Sequence, residues 1–149
     1  MNESNHGLKG GRHKARRSAV QALYQWQLTR QAPAEIERDF LADDSLKDAD
    51  LDYFQHLVRE IPAHIPGLDK HLAPYIDRGI AEIDPVERAI LRLGAFELEF
   101  HPEIPYRVVL NEAVELAKTF GAEQGHKYVN AVLDRVALTL RAQEVGAAK

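Results

Sequence analysis

The sequence predicts an all-α protein with about seven helices. Apolar residues recur at intervals of three and four along most of the chain, which is the spacing of one buried helix face. No stretch alternates convincingly between apolar and polar residues, as a half-buried strand would, and the prolines fall between the helical segments. With 149 residues, 45% of them hydrophobic, the chain fits one domain that buries roughly two-thirds of its unfolded surface.

The first helix is predicted to run from Lys14 to Arg30. This stretch contains neither glycine nor proline, and Ala19, Leu23 and Trp26 repeat at helical spacing.

A short tail precedes this helix. Residues 1–11, MNESNHGLKGG, contain three glycines and few apolar side chains, so we expect them to be disordered or to become ordered only on binding. A single helical domain is predicted over residues 12–145.

The middle of the chain is predicted to hold shorter helices separated by breaks. The second helix starts at Pro33 and ends in an acidic turn at residues 43–45. A third apolar stripe covers residues 51–61, and helical spacing resumes over residues 68–76. Three residues between these stripes are predicted to interrupt or kink the chain: Pro62, Pro66 and Gly67.

Asp84, Pro85 and Glu87 give the sharpest local signal. Asp is a favoured N-cap, Pro suits the first helical position, and a Glu three residues after the cap can reach back to the cap's amide. We predict a helix from Pro85 to about Phe100, ended by residues 101–102, His-Pro.

Two further helices complete the predicted fold. One follows Pro105 and ends at Gly121, which is predicted to be a left-handed C-terminal residue. The last is predicted from about Gly125 to Arg141. No internal repeat is visible.

The charge of the chain is split between a basic arm and an acidic body. Residues 1–17 carry five basic and one acidic side chain, a net of +4, whereas the other 132 residues carry 14 basic and 22 acidic ones, a net of −8. Such an arm attracts phosphates while the body repels them, which confines a polyanion to one edge of the molecule. A tail that only aids solubility has a similar composition, so composition leaves both interpretations open.

Several function classes lack their sequence signatures. There is no Gly-rich phosphate loop, zinc-protease motif or nucleophile elbow. The chain has no cysteine, which excludes a thiolate nucleophile and a Cys-containing zinc site. Its apolar runs are too short to span a bilayer, and no signal peptide is visible. We therefore expect a cytoplasmic protein that is not an enzyme and needs no cofactor.

Histidines and paired carboxylates are interpreted as structural. His56, His64 and His71 would share one face only on a continuous helix, which the prolines break, so no metal site is expected. Carboxylate pairs such as Glu97 and Glu99 are expected to be solvated rather than catalytic.

Two surfaces are candidates for RNA binding. The arm's basic side chains can neutralise phosphates, and they continue into a helix with glutamines and Tyr24, which can contact bases. A second surface flanks the Gly121–Gly125 turn, although Phe120 there also continues the apolar stripe of its helix and could belong to the core. The candidate residues are Arg12, Lys14, Arg16, Arg17, Phe120, Lys127 and Tyr128.

Several segments carry a family resemblance. Residues 16–27 read RRSAVQALYQWQ, residues 110–121 read LNEAVELAKTFG, and residues 126–133 read HKYVNAVL. Residues 52–54 and 86–92 fit the same pattern. From residue 12 onward the chain resembles the NusB family of bacterial transcription antitermination factors.

The resemblance implies an all-helical fold of two packed subdomains and a role in processive antitermination. Members of the family bind the boxA sequence of nascent RNA, notably in ribosomal RNA operons, jointly with the ribosomal protein NusE. The pair joins RNA polymerase with NusA and NusG. By position, the resemblance places RNA contacts on the seven candidate residues above, and the NusE contact around Tyr24 and Glu87. An acidic body would give a basic ribosomal protein a complementary charge.

Two alternatives belong to other classes. NusB-like domains also occur at the N-terminus of a ribosomal RNA cytosine methyltransferase, but no methyl-donor-binding domain follows residue 149, so we do not expect that activity. The other alternative is a helical adaptor that binds protein partners without RNA.

Overall fold

A computed structural model describes residues 2–121 and 124–148, and these residues form an all-helical fold. They contain eight α-helices, three 3-10 turns and no strand, which confirms the predicted fold class and adds one helix to the expected number. The chain divides into two compact units, with the division between Ala63 and His64. Two units agree with the two subdomains that the resemblance implies.

The first unit consists of three helices. These are α1 (Asn2–Thr29), α2 (Pro33–Ala42) and α3 (Leu51–Ala63), with a 3-10 turn at Asp44–Leu46. Helix α1 packs against both α2 and α3. The predicted stripes supply the fully buried side chains of this unit, which include Ala19, Leu23, Ile36, Phe54, Leu57 and Ile61.

Helix α1 starts twelve residues before the predicted position. It includes residues 2–11, which the sequence predicts to be a disordered tail. No proline interrupts this stretch, and glycines at 10 and 11 lower helix propensity without preventing a helix. That the tail becomes ordered only on binding stays a prediction.

The second unit is built around a central helix. Its helices are α4 (Ile65–Leu72), α5 (Pro85–Phe100), α6 (Tyr106–Phe120), α7 (Gly125–Leu140) and α8 (Ala142–Ala148). Residues 89–98 of α5 are all buried, because α4, α6 and α7 all pack against this helix. Gly94 permits the contact with α7, since a methyl group at this position would lie 2.5 Å from Cδ1 of Leu133.

The N-terminus of α5 confirms the predicted cap but not the full capping box. The Asp84 carboxylate accepts hydrogen bonds from the amides of Val86 (3.1 Å) and Glu87 (3.2 Å). The Glu87 side chain lies instead against Gly125 at the start of α7, where a methyl group would be 3.2 Å from Oε2. A carboxylate at a helix N-terminus is favoured by the helix dipole.

Gly121 ends α6, but not in the left-handed conformation that the sequence predicts. Its backbone is extended, with φ −92° and ψ 177°, so that prediction was wrong. Glycine is needed here because the backbone of residue 121 lies close to the Ala117 carbonyl. The Gly121 amide donates to that carbonyl at 2.7 Å, and a Cβ would lie 2.7 Å from the same oxygen. Residues 122 and 123 of the predicted Gly121–Gly125 turn lie outside the described residues.

Helix α8 is absent from the sequence prediction and extends three residues beyond the predicted domain end at residue 145. Arg141, directly before it, caps the C-terminus of α5. Its guanidinium donates to the carbonyls of Leu98 (2.8 Å) and His101 (2.9 Å) and pairs with the Glu144 carboxylate. Glu144 in turn accepts from the amide of Tyr106 at 2.7 Å. The bond to Leu98 satisfies a carbonyl that the end of α5 would otherwise leave without a partner.

The expected break between the histidines is confirmed. Helix α3 ends at Ala63 and α4 begins at Ile65, so His56 and His71 lie on different helices. Among residues 2–121 and 124–148, no group of three or more His, Asp or Glu side chains could hold a metal ion.

The predicted solvation of Glu97 is wrong. This residue is fully buried in α5 because α5 packs on several sides, whereas Glu99 is exposed and pairs with His71 at 3.1 Å. Within the described part of the chain, no helix is both long and apolar enough to cross a membrane.

Candidate nucleic-acid interface

The four predicted phosphate-binding residues of α1 differ in exposure. Arg17 is exposed. The side chains of Arg12 and Lys14 are 38% and 41% exposed, whereas Arg16 is only 4% exposed. Residues 12 and 16 lie one turn apart on the same face of α1, and that face turns toward α3. Arg12, Lys14 and Arg17 therefore each present part of their side chain at the surface, whereas the buried Arg16 does not.

Tyr53 of α3 supports this part of α1. Its ring is buried, and the guanidinium carbons of Arg12 and Arg16 lie 4.6 and 5.5 Å from the ring centroid. Cations over an aromatic face are attracted by the ring quadrupole. Tyr53 thus holds the two guanidinium groups one helical turn apart and fixes their positions.

An acidic loop, residues 47–50, lies beside the same cations. The distance from Arg12 Nε to Asp50 Oδ2 is 4.0 Å, and that from Lys14 Nζ to Asp48 Oδ2 is 3.9 Å. The Asp50 amide also donates to the Gly11 carbonyl at 2.9 Å. Gly11 permits this approach, since a methyl group there would lie 3.2 Å from the Asp50 nitrogen.

Local chemistry fixes the shape of the acidic loop. Asp48 has a left-handed backbone with φ 64°, a conformation that Asp and Asn adopt more readily than most residues. Asp50 is the cap of α3: its carboxylate accepts from the Tyr53 amide at 3.0 Å, and its carbonyl accepts from the Phe54 amide at 3.0 Å. The loop therefore presents two carboxylates to α1 from a defined backbone.

The second predicted RNA surface lies at the end of α6 and the start of α7. Phe120 is the last residue of α6 and is half-buried, so it is neither a core residue nor a fully exposed one. Lys127 is exposed and Tyr128 is half-buried on the first turns of α7. Two aromatic rings and a cation thus flank one chain reversal within the second unit.

Two residues that sequence reasoning missed complete this second surface. The Tyr128 hydroxyl donates to Asp77 Oδ1 at 3.1 Å, and Asp77 also accepts from Arg78 Nε at 2.8 Å and Nη2 at 3.1 Å. The Arg78 guanidinium lies 5.3 Å from the Tyr128 ring centroid. One face of the Tyr128 ring is therefore covered by Arg78, and a base that stacks on this ring must use the other face or displace Arg78.

The contacts among Asp77, Arg78 and Tyr128 shift the pKa values of Asp77 and Tyr128 in opposite directions. Hydrogen bonding from Arg78 lowers the pKa of Asp77. Burial, followed by the hydrogen bond with Asp77, raises the pKa of the Tyr128 hydroxyl. Both shifts favour an ionised Asp77 and a neutral phenol at neutral pH.

Tyr24 lines a groove in the first unit, away from the arm's cations along α1. The groove has a volume of about 500 Å³. Tyr24 and Leu28 are 38% and 53% exposed there, and the carboxylates of Asp39 and Asp43 join them in the lining. The lining thus combines apolar surface with negative charge.

Glu87, the other residue predicted to contact NusE, belongs to the second unit. It is half-buried, and burial, together with repulsion from Asp84, raises its pKa.

Comparison with known proteins gives consistent results. The family model described as "NusB family" matches residues 13–138. The chain is 57% identical to the transcription antitermination protein NusB of Nitrosococcus oceani, over 92% of each chain. It is 50% identical to that of Pasteurella multocida, over 94% of this chain and 98% of the relative. A solved structure of antitermination factors NusB and NusE in complex with dsRNA superposes with a TM-score of 0.78 at 30% identity, covering 85% of this chain and 96% of that one.

Proposed function

This chain belongs to the NusB family, and we propose that it is an RNA-binding transcription antitermination factor that acts without catalysis. Its ligand is the boxA sequence of nascent transcripts, notably those of ribosomal RNA operons. It binds this RNA jointly with NusE, and the pair joins RNA polymerase together with NusA and NusG.

The proposal depends mainly on one structural match. The chain superposes on a solved structure of NusB and NusE with dsRNA, and the match covers 96% of the chain that it superposes on. The duplex in that structure and a single-stranded boxA share the phosphate backbone, to which an exposed cation such as Arg17 binds without regard to sequence. The aromatic residues at the second surface add a way to read unpaired bases, because single-stranded RNA is recognised largely by stacking.

The exposure of each candidate side chain determines the role that we assign to it in RNA binding. Arg12, Lys14 and Arg17 of α1 contact phosphates directly, whereas the buried Arg16 positions its neighbours through Tyr53. On the second surface, Lys127 neutralises a further phosphate, and the half-buried rings of Phe120 and Tyr128 stack against bases.

NusE binds at the groove that Tyr24 lines, with Glu87 as a further contact. A ribosomal protein is expected to be basic, and the carboxylates of Asp39 and Asp43 offer it opposite charge. Exposed aromatic and apolar side chains such as those of Tyr24 and Leu28 supply the area that such an interface buries.

A titration of labelled boxA RNA, with and without saturating NusE, tests the proposal. We expect NusE to strengthen boxA binding more than binding of a scrambled RNA of equal length. If NusE binds the chain while RNA affinity stays equal for boxA and scrambled RNA, the chain is a protein adaptor instead.

The NusE site is tested by Tyr24→Ala, with Leu41→Ala as the matched control. Both residues are exposed apolar side chains of the first unit, at 38% and 39%, and Leu41 does not line the groove. We expect the Tyr24 variant to weaken NusE binding by about tenfold or more. If the two variants bind NusE with equal affinity, NusE does not bind at this groove.

A further inference from the structure

The cations that are proposed to bind RNA already lie beside carboxylates of the same chain. Asp48 Oδ2 is 3.9 Å from Lys14 Nζ, and Asp50 Oδ2 is 4.0 Å from Arg12 Nε. A phosphate that approaches either cation must therefore compete with a carboxylate, whereas no carboxylate of a described residue pairs with the exposed Arg17.

We propose that the acidic loop, residues 47–50, is an intramolecular competitor for RNA phosphates. In the RNA-free protein, Asp48 and Asp50 neutralise Lys14 and Arg12, and RNA displaces them when it binds. This inference rests on the proposed function, since it assigns a regulating contact to the same RNA site.

The geometry allows side chains to exchange while the backbone stays fixed. The hydrogen bond from the Asp50 amide to the Gly11 carbonyl, at 2.9 Å, ties the loop to α1. The Asp48 and Lys14 side chains are 70% and 41% exposed, so water screens their attraction and a phosphate can replace it. The loop therefore keeps its carboxylates near the cations without closing the site.

The strength of exposed ion pairs sets the size of the effect. Such pairs contribute about 0.2–1 kcal/mol, which corresponds to roughly a 1.5- to fivefold change in affinity. Removing the Asp48 carboxylate should thus tighten RNA binding by about 1.5- to fivefold.

Asp48→Asn is the direct test, because Asn adopts the left-handed conformation of this residue at least as readily as Asp. The control is Asp44→Asn, which removes the same charge from an exposed residue nearby that makes no ion pair with α1 among the described side chains. Screening should limit the control's effect to under about 1.5-fold at physiological salt. Asp50→Asn serves as a second variant, since Asn is an equally good cap for α3. Thermal unfolding verifies that each variant folds.

Lys14→Gln completes a double-mutant cycle measured by titration with boxA RNA. In a Lys14→Gln background, Asp48→Asn should gain no more affinity than Asp44→Asn, because the cation that Asp48 neutralises is gone. If Asp48→Asn and Asp44→Asn raise RNA affinity equally in the otherwise unchanged protein, the acidic loop does not compete with RNA. That result would leave the proposed RNA site itself unaffected. If Arg17→Gln and Lys14→Gln both leave RNA affinity unchanged, the proposed function itself fails, and the competitor fails with it.

Discussion

Replacing Arg17 by Gln should weaken RNA binding through charge alone. Arg17 is the exposed residue among the four candidate cations of α1, so the substitution removes one proposed phosphate contact and replaces no buried side chain. For a single strand, each neutralised phosphate contributes about 0.7 to the slope of log affinity against log salt. Between 50 and 200 mM salt, the affinities of the unchanged protein and the variant should therefore converge by roughly 2.6-fold.

The assay is fluorescence anisotropy of labelled boxA RNA at four or more concentrations of KCl. Arg38→Gln on α2 is the matched control, because Arg38 is also exposed and lies in the same unit but outside the predicted RNA contacts. A lower slope for the Arg17 variant, with an unchanged slope for the control, supports direct phosphate contact. Equal slopes for the Arg17 variant and the unchanged protein would refute it.

Three other predictions concern stability. Arg16→Gln should lower the free energy of unfolding by about 2 kcal/mol, because it removes a buried guanidinium from the Tyr53 ring; a urea titration that shows no change would contradict the positioning role. Arg141→Gln should cost about 2 kcal/mol in the same assay, since it leaves the buried Leu98 carbonyl at the end of α5 without its donor. Hydrogen bonding from Arg59 holds the pKa of Glu37 below its ordinary value of 4.5. The interaction between Glu37 and Arg59 contributes about 1 kcal/mol to the free energy of unfolding. This contribution is complete above pH 4.5 and is lost as the pH falls through the pKa of Glu37 in the folded protein. Glu37→Gln should therefore destabilise the protein at pH 7 and make unfolding less sensitive to acid, and parallel pH profiles would contradict this.

The helices were predictable wherever local chemistry determines them. The stripe of α1 from residue 19 to residue 26, the proline at the start of α2 and the Asp84 cap of α5 each depend on residues within one or two turns. The break after α3 follows from Pro62 and Pro66 in the same local way. Such signals survive in the folded chain because they do not depend on distant partners.

Other features depend on contacts between residues far apart in sequence. Glu97 is buried because α5 packs against three helices, which no charge pattern indicates. Helix α8 was missed because its seven residues show no apolar stripe, and it is held through Arg141 and Glu144. The backbone of Gly121 is set by the Ala117 carbonyl rather than by a left-handed turn.

The candidate RNA site also combines features that the sequence predicts with features that depend on contacts between distant residues. Composition indicated a basic arm, and the family resemblance predicted RNA contacts for four of its residues. The burial of Arg16 against Tyr53 and the pairing of Lys14 with Asp48 arise from contacts between α1 and segments more than thirty residues away. The net charge of the arm therefore overstates the number of cations that are free to meet a phosphate.

Calorimetric titration of NusE into the chain, with and without saturating boxA RNA, tests the central claim most directly. If RNA and NusE bind jointly, the RNA must raise NusE affinity by the same factor by which NusE raises RNA affinity, and we expect a factor of at least about five. A scrambled RNA of equal length should give a smaller increase. The same NusE affinity in the presence and absence of boxA RNA would contradict joint binding.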